Sequence, residues 1–108
     1  MPEFLQVVTT TDTKDKALAI ASALVEKRLA ACGQVSGPIE STYWWQGMLQ
    51  WSTEWRVTLK TTRAVFPRVE AAIRAIHPYQ VPEIVATPIV AGSADYLDWV
   101  RDEIASLE

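Results

Sequence analysis

Scarcity is the first thing to read in this chain of 108 residues: one cysteine, Cys32, and one histidine, His77. A single cysteine excludes an intramolecular disulfide and points to a reducing compartment, so a cytoplasmic protein is expected. The chain has no excess of basic residues. Its formal net charge is −3, and a nucleic-acid partner, which needs a cationic face, is not expected. No segment is long and apolar enough to span a membrane, and the start, Met1 to Leu5, lacks the pattern of a signal peptide. There is no repeat, low-complexity run or internal linker. Nor is there a nucleophile elbow, a GxGxxG or a GKS/T loop. No reaction can be written from these residues, and no enzymatic activity is expected.

What remains is an ordinary globular composition, 49% hydrophobic and 21% charged, of a length that suits one domain over residues 1–108. Phe4 to Thr10 reads as a buried strand. Thr9 to Thr13 offers helix caps, and Ala17, Ile20, Ala21, Leu24 and Val25 follow helical spacing between Asp15 and Leu29. Ala31 to Gln46 turns β-like, with Gly37-Pro38 marking a bend or bulge. Gln46-Gly47-Met48 is the turn. In the return strand, Leu49 to Thr61, the residues Trp51, Thr53, Trp55, Val57, Leu59 and Thr61 share one face. A second helix carries Phe66, Val69, Ile73 and Ile76, with Pro67 in its first turn and Ala64 as N-cap. Glu83 to Val90 is the last strand. Ser93 caps a closing helix marked by Tyr96, Leu97, Val100 and Ile104. This order is α+β, a ferredoxin-like split βαβ with two helices on one sheet face.

The densest chemistry lies in His77-Pro78-Tyr79-Gln80-Val81-Pro82-Glu83-Ile84. Each proline fixes its own φ and keeps the preceding residue out of the helical region, so polar groups sit on a stiff, extended backbone. The hairpin is the second unusual feature. Thirteen extended residues span about 40 Å, against a diameter of roughly 35 Å for a compact chain of this length. The overhanging arm bears Tyr43, Trp44, Trp45, Trp51 and Trp55. Such a surface, with its open backbone edge, is expected to be covered by sister copies in a cyclic oligomer.

Five blocks resemble the CutA divalent-cation-tolerance family. They are Arg28-Leu29-Ala30-Ala31-Cys32, Tyr43-Trp44-Trp45-Gln46-Gly47, Leu59-Lys60-Thr61-Thr62, the His77 to Ile84 segment, and Tyr96-Leu97-Asp98-Trp99. The resemblance implies a ferredoxin-like subunit in a tight homotrimer, with strands paired between neighbours. It also implies a link to tolerance of copper and other divalent metals. That trimer is similar to the PII signalling proteins, which bind small ligands in clefts between subunits. Some bacterial members have a cysteine at the end of the first strand and a second histidine before His-Pro-Tyr. The matching positions here are Thr9 and Ile76.

The candidate metal ligands are therefore His77 and Cys32, for copper or another divalent cation that folding does not require. His77 offers an imidazole, or else it caps a helix end; Cys32 offers a thiolate, or else it is an inert thiol among apolar neighbours. Met48 at the hairpin tip is a further soft donor or a packing residue. Lys60, Tyr79, Glu83 and Trp45 are expected to line an inter-subunit cleft for an anionic or polar ligand, or to form an ion-pair network there. Tyr43, Trp51, Trp55 and Trp99 are expected at the interface. Trp55→Ala should weaken assembly, seen as a loss of mass on dilution by light scattering; an unchanged mass counts against it.

Overall fold

A computed structural model describes residues 3–104. Seven elements follow in the order expected: β1 (Phe4–Thr11), α1 (Lys14–Glu26), β2 (Cys32–Trp45), β3 (Met48–Thr62), α2 (Phe66–Ile76), β4 (Val85–Pro88) and α3 (Ala94–Glu103). The strands form one antiparallel sheet in the order β2-β3-β1-β4, the ferredoxin-like arrangement.

Strand alternation builds the core. Leu5 and Val7 of β1 lie in register with Thr61 and Leu59 of β3, and all four are buried on one face. There they meet Ala17, Ile20, Ala21 and Leu24 of α1, and Val69 and Ile73 of α2. Phe4 has the opposite parity and joins Ala31 and Val100 beneath α3. Exposed ion pairs also link α3 to the body: Arg101 to Glu3 at 2.8 Å and Arg28 to Glu103 at 2.8 Å.

Element ends depart from the sequence reading where local chemistry gives no warning. α1 stops at Glu26, not Leu29, because Arg28 adopts φ 58°. The N–H of Leu29 then reaches the Leu24 carbonyl and that of Arg28 the Val25 carbonyl, a Schellman closure without its usual glycine. α2 is entered through a 3-10 turn, Arg63–Val65, so its N-cap is Val65 rather than Ala64. Ser93 occupies the N-cap position of α3 but its side chain makes no capping bond. β4 is four residues long, shorter than Glu83 to Val90. At the other end of the chain, Thr13 caps α1 as expected, its Oγ1 accepting the Lys16 N–H at 3.2 Å.

The hairpin outruns the rest of the sheet. β1 pairs with β3 only from Thr62 back to Trp55; beyond that, among the described residues, Met48 to Glu54 has β2 as its sole strand partner. The molecule measures 44 × 26 × 23 Å in consequence. Gln46 and Gly47 both take positive φ and close the arm in a two-residue turn. The register of β2 on β3 slips by one residue between Ser36 and Ile39, the bulge expected at Gly37-Pro38.

Gly37 has φ +144°, and a Cβ there would lie 2.9 Å from the Trp55 ring and 3.1 Å from the Glu54 carbonyl oxygen. Gly47 has φ +78° but faces open space. Gly37→Ala should therefore cost roughly 1–3 kcal/mol, and Gly47→Ala only about 1 kcal/mol. Chemical denaturation of both variants checks the order.

Candidate functional site

α2 ends at Ile76 because His77 precedes a proline and takes the extended conformation, φ −75° and ψ 135°. That turn swings the imidazole over the end of β1. Nε2 lies 2.9 Å from the Thr10 carbonyl oxygen and 3.1 Å from Thr9 Oγ1. The N–H of Tyr79 donates to Nδ1 at 3.1 Å. A backbone N–H can only donate, so Nδ1 is the bare nitrogen and Nε2 carries the proton toward the Thr10 carbonyl. His77 is thus held neutral with both nitrogens engaged. Partial burial pushes its pKa below the ordinary value, opposed by the Thr10 bond and by the charges of Asp12 and Glu54. Thr9 is fully buried, and its hydroxyl belongs to this bond set.

Tyr79 is the next link. Its ring stands edge-on to the imidazole with centroids 4.9 Å apart. Its hydroxyl donates to Glu54 Oε2 at 2.7 Å. Glu54 is only 7% exposed although its strand neighbours Thr53 and Arg56 are wet. It sits one residue beyond the last β1–β3 pair, where the arm leaves the sheet. Burial, then the bond and charge of Glu54, push the Tyr79 phenol well above its ordinary range, so it stays a donor. Between this segment and the arm runs a groove of ≈ 490 Å³, lined by Tyr43, Trp44, Trp45, Tyr79, Gln80 and Val81.

The remaining candidates lie elsewhere. Cys32 and Lys60 face each other in register near the base of the hairpin, with Gln6 beyond. Lys60 Nζ donates to Gln34 Oε1 at 3.1 Å, and Cys32 Sγ lies 3.5 Å from the Tyr96 hydroxyl, whose pKa that contact raises to about 12. Thr9, under the imidazole, is three register positions away, about 10 Å along the strands. His77 and Cys32 therefore do not meet within one chain. Among the described residues no three histidine, cysteine or carboxylate groups gather as a metal site. Glu83 is exposed and lies outside the groove lining. Trp55 is half-buried against the main core, with Lys14 Nζ 5.7 Å above its ring. Trp51 is 69% exposed; Trp99 is exposed beside Tyr96, with ring centroids 5.7 Å apart. Met48, at the tip, is exposed. Within one chain Trp45 and Tyr79 share the groove, and Lys60 lies at the other end of the sheet. Glu54 is the residue sequence reasoning missed. Its partner is 25 positions away, and only its place between Trp51 and Trp55 hinted at burial.

The family profile described as CutA1 divalent ion tolerance protein matches residues 5–103. The divalent-cation tolerance protein CutA of Thermus thermophilus is 45% identical over 96 residues, 89% of this chain and 93% of that protein. A solved Cut A1 structure from that organism superposes with a TM-score of 0.92 at 42% identity, covering 94% and 99% of the two chains. The human protein CutA is 40% identical over 88 residues, 82% of this chain, which spans about half (49%) of that relative's length. The periplasmic divalent cation tolerance protein CutA from Archaeoglobus fulgidus superposes at 0.91 with 34% identity, covering 94% and 99%.

The lowered pKa of His77 has a definite sign for stability. The unfolded chain binds the imidazole proton near 6.5 and the folded chain binds it less tightly. Stability is therefore retained above the unfolded value and falls as pH drops toward the folded one. Between about pH 7 and about pH 5.5, the wild type should lose stability more steeply than His77→Gln. Guanidinium titrations at each pH check this, and parallel slopes would overturn it.

Proposed function

The chain belongs to the CutA1 divalent ion tolerance protein family, and from that premise we propose that it acts as one subunit of a homotrimer in the response to divalent metal ions of the copper class. The observation that carries the reading is the arm. Trp44 is 72% and Trp51 69% exposed in a single chain, with Tyr43, Met48 and Leu49 beside them. β2 and β4 are the outer strands of the sheet, each with one side unpaired. A ring of copies joins unlike edges head to tail and covers the arms at the same time.

Metal or ligand sites on this reading are completed between subunits. In one chain His77 spends both nitrogens internally and Cys32 lies at the other end of the sheet. A cation held by either needs donors from a second copy. On this reading folding needs no such cation; the apolar make-up of the core supports that. We assign the protein a binding role and no catalytic step. We place it in the cytoplasm, where an unpaired thiol such as Cys32 stays reduced. A second reading, a PII-like sensor of a small ligand without direct metal binding, is favoured by the groove between the arm and Tyr79.

Sedimentation of the purified protein should give three times the chain mass. Calorimetric titration of Cu²⁺ and Zn²⁺ into wild type, His77→Ala and Cys32→Ser then separates the readings. Weaker binding by either variant supports a shared metal site. Equal binding by all three removes both residues as ligands, and no binding by any favours the sensor. Recovery in the periplasmic fraction of cells would overturn the cytoplasmic placement.

A further inference from the structure

Beyond α3, the face of the sheet opposite α1 and α2 is cationic along β3. The strand points Arg56, Thr58 and Lys60 to that side, while Val57 and Leu59 point into the core. From the register pair of Lys60 with Cys32 to that of Arg56 with Ser36, the four strands place no aspartate or glutamate on this face. Lys60 Nζ donates to Gln34 Oε1 at 3.1 Å, which turns the ammonium along the strand toward Arg56. Among the described residues the ion pairs engage Lys16, Arg28, Arg74 and Arg101, and neither Arg56 nor Lys60. The next carboxylate along that side of β3 is Glu54, and its Oε2 already accepts the Tyr79 hydroxyl. On α3, Asp98 is paired with Arg101, and Asp95 accepts the Tyr96 N–H.

In the proposed homotrimer this face does not stay at the surface. Four strands make a sheet about 19 Å wide, and three such sheets joined edge to edge enclose an axis about 5–6 Å from each. A helical layer needs about 10 Å, so the helices lie outside and the helix-free faces line the axis. β3 is an inner strand of the order β2-β3-β1-β4, and inner strands lie nearest that axis. Each of three copies then brings Arg56 and Lys60 into a narrow interior, with Gln34 and Thr58 between them. Like charges withdrawn from water repel strongly unless a counter-charge accompanies them. In an isolated chain water screens them; in the ring something else must.

A small oxyanion meets that demand. Guanidinium N–H groups match the oxygens of phosphate and sulfate in pairs, and an ammonium adds a point charge with further donors. A tetrahedral anion also has a threefold axis of its own, so it presents one oxygen to each copy. We propose that the trimer axis is an oxyanion site, in which Arg56 and Lys60 of three copies hold a free tetrahedral anion of the phosphate or sulfate class. The site rests on the homotrimer of the proposed function and exists only there, because no single chain supplies more than one Arg56 and one Lys60.

The test uses the whole purified protein, dialysed free of phosphate and sulfate. Sodium sulfate is the probe, and sodium chloride at equal ionic strength is the control. Calorimetry reads binding, thermal unfolding reads stabilisation, and sedimentation of the same samples reads mass. Sulfate should bind saturably at one ion per three chains and raise the unfolding temperature above that in chloride. Arg56→Gln, at an exposed position, should weaken sulfate about tenfold or more and lose the rise. Lys60→Gln should act in the same direction, and it carries the test if Arg56→Gln fails to assemble. Arg74→Gln, on the helix side and paired with Glu70 at 3.4 Å, should bind sulfate as the wild type does. Absent or non-saturable binding by a protein of trimer mass overturns the site and leaves the assembly standing. Saturable binding that neither Arg56→Gln nor Lys60→Gln weakens also overturns it, as does one ion per chain. A single-chain mass overturns the homotrimer and the axial site together.

Discussion

Strands lengthen faster than helices can cover them, and the form of this molecule follows from that mismatch. β3 has fifteen residues and β2 fourteen, whereas α1 has thirteen and α2 eleven. At strand rise β3 is about twice as long as α1, which at helical rise is about 20 Å. Two helices on one face therefore bury the half of the hairpin that β1 also supports, and leave the other half projecting. Val57 and Leu59 are fully buried on the covered stretch, and Trp51 is bare on the projecting one.

The junction between covered and bare strand is where the polar chemistry collects. Glu54 lies there, past the end of β1 and still close enough to the body to be enclosed. An unpaired buried carboxylate is costly, and the Tyr79 hydroxyl meets part of that demand. Tyr79 reaches it because His77 and Pro78 turn the chain away from α2 and the imidazole anchors that turn to β1. One continuous set of bonds thus runs from β1 through His77 and Tyr79 to β3. It fixes the stiff segment against the arm and leaves between them the aromatic groove.

Packing of α3 illustrates which forces matter elsewhere. Its ion pairs to Glu3 and Arg28 are exposed and contribute little each. Val100, fully buried with Phe4 and Ala31, does more to hold the helix on the end of the sheet. Among the described residues no helix covers the rest of that face, with Gln34, Arg56 and Lys60. Open face, open outer strands and bare arm are the surfaces on which the proposed assembly rests.

The amino-acid order alone was sufficient for the element sequence, the hairpin, the bulge at Gly37-Pro38 and the apolar stripes of α1 and α2. Those features rest on alternation, helical spacing and the backbone limits of glycine and proline, all of which act within a few residues. The five blocks that mark the family were legible by their resemblance to known motifs. Tertiary structure alone decided that His77 is bound on both nitrogens, that Lys60 stands apart from Tyr79 within one chain, and that Glu54 is buried. Hydrogen bonds between residues 25 to 68 positions apart leave no periodic trace in a sequence. The αL residue Arg28, which ends α1 without glycine, was hidden because packing rather than local preference sets its conformation.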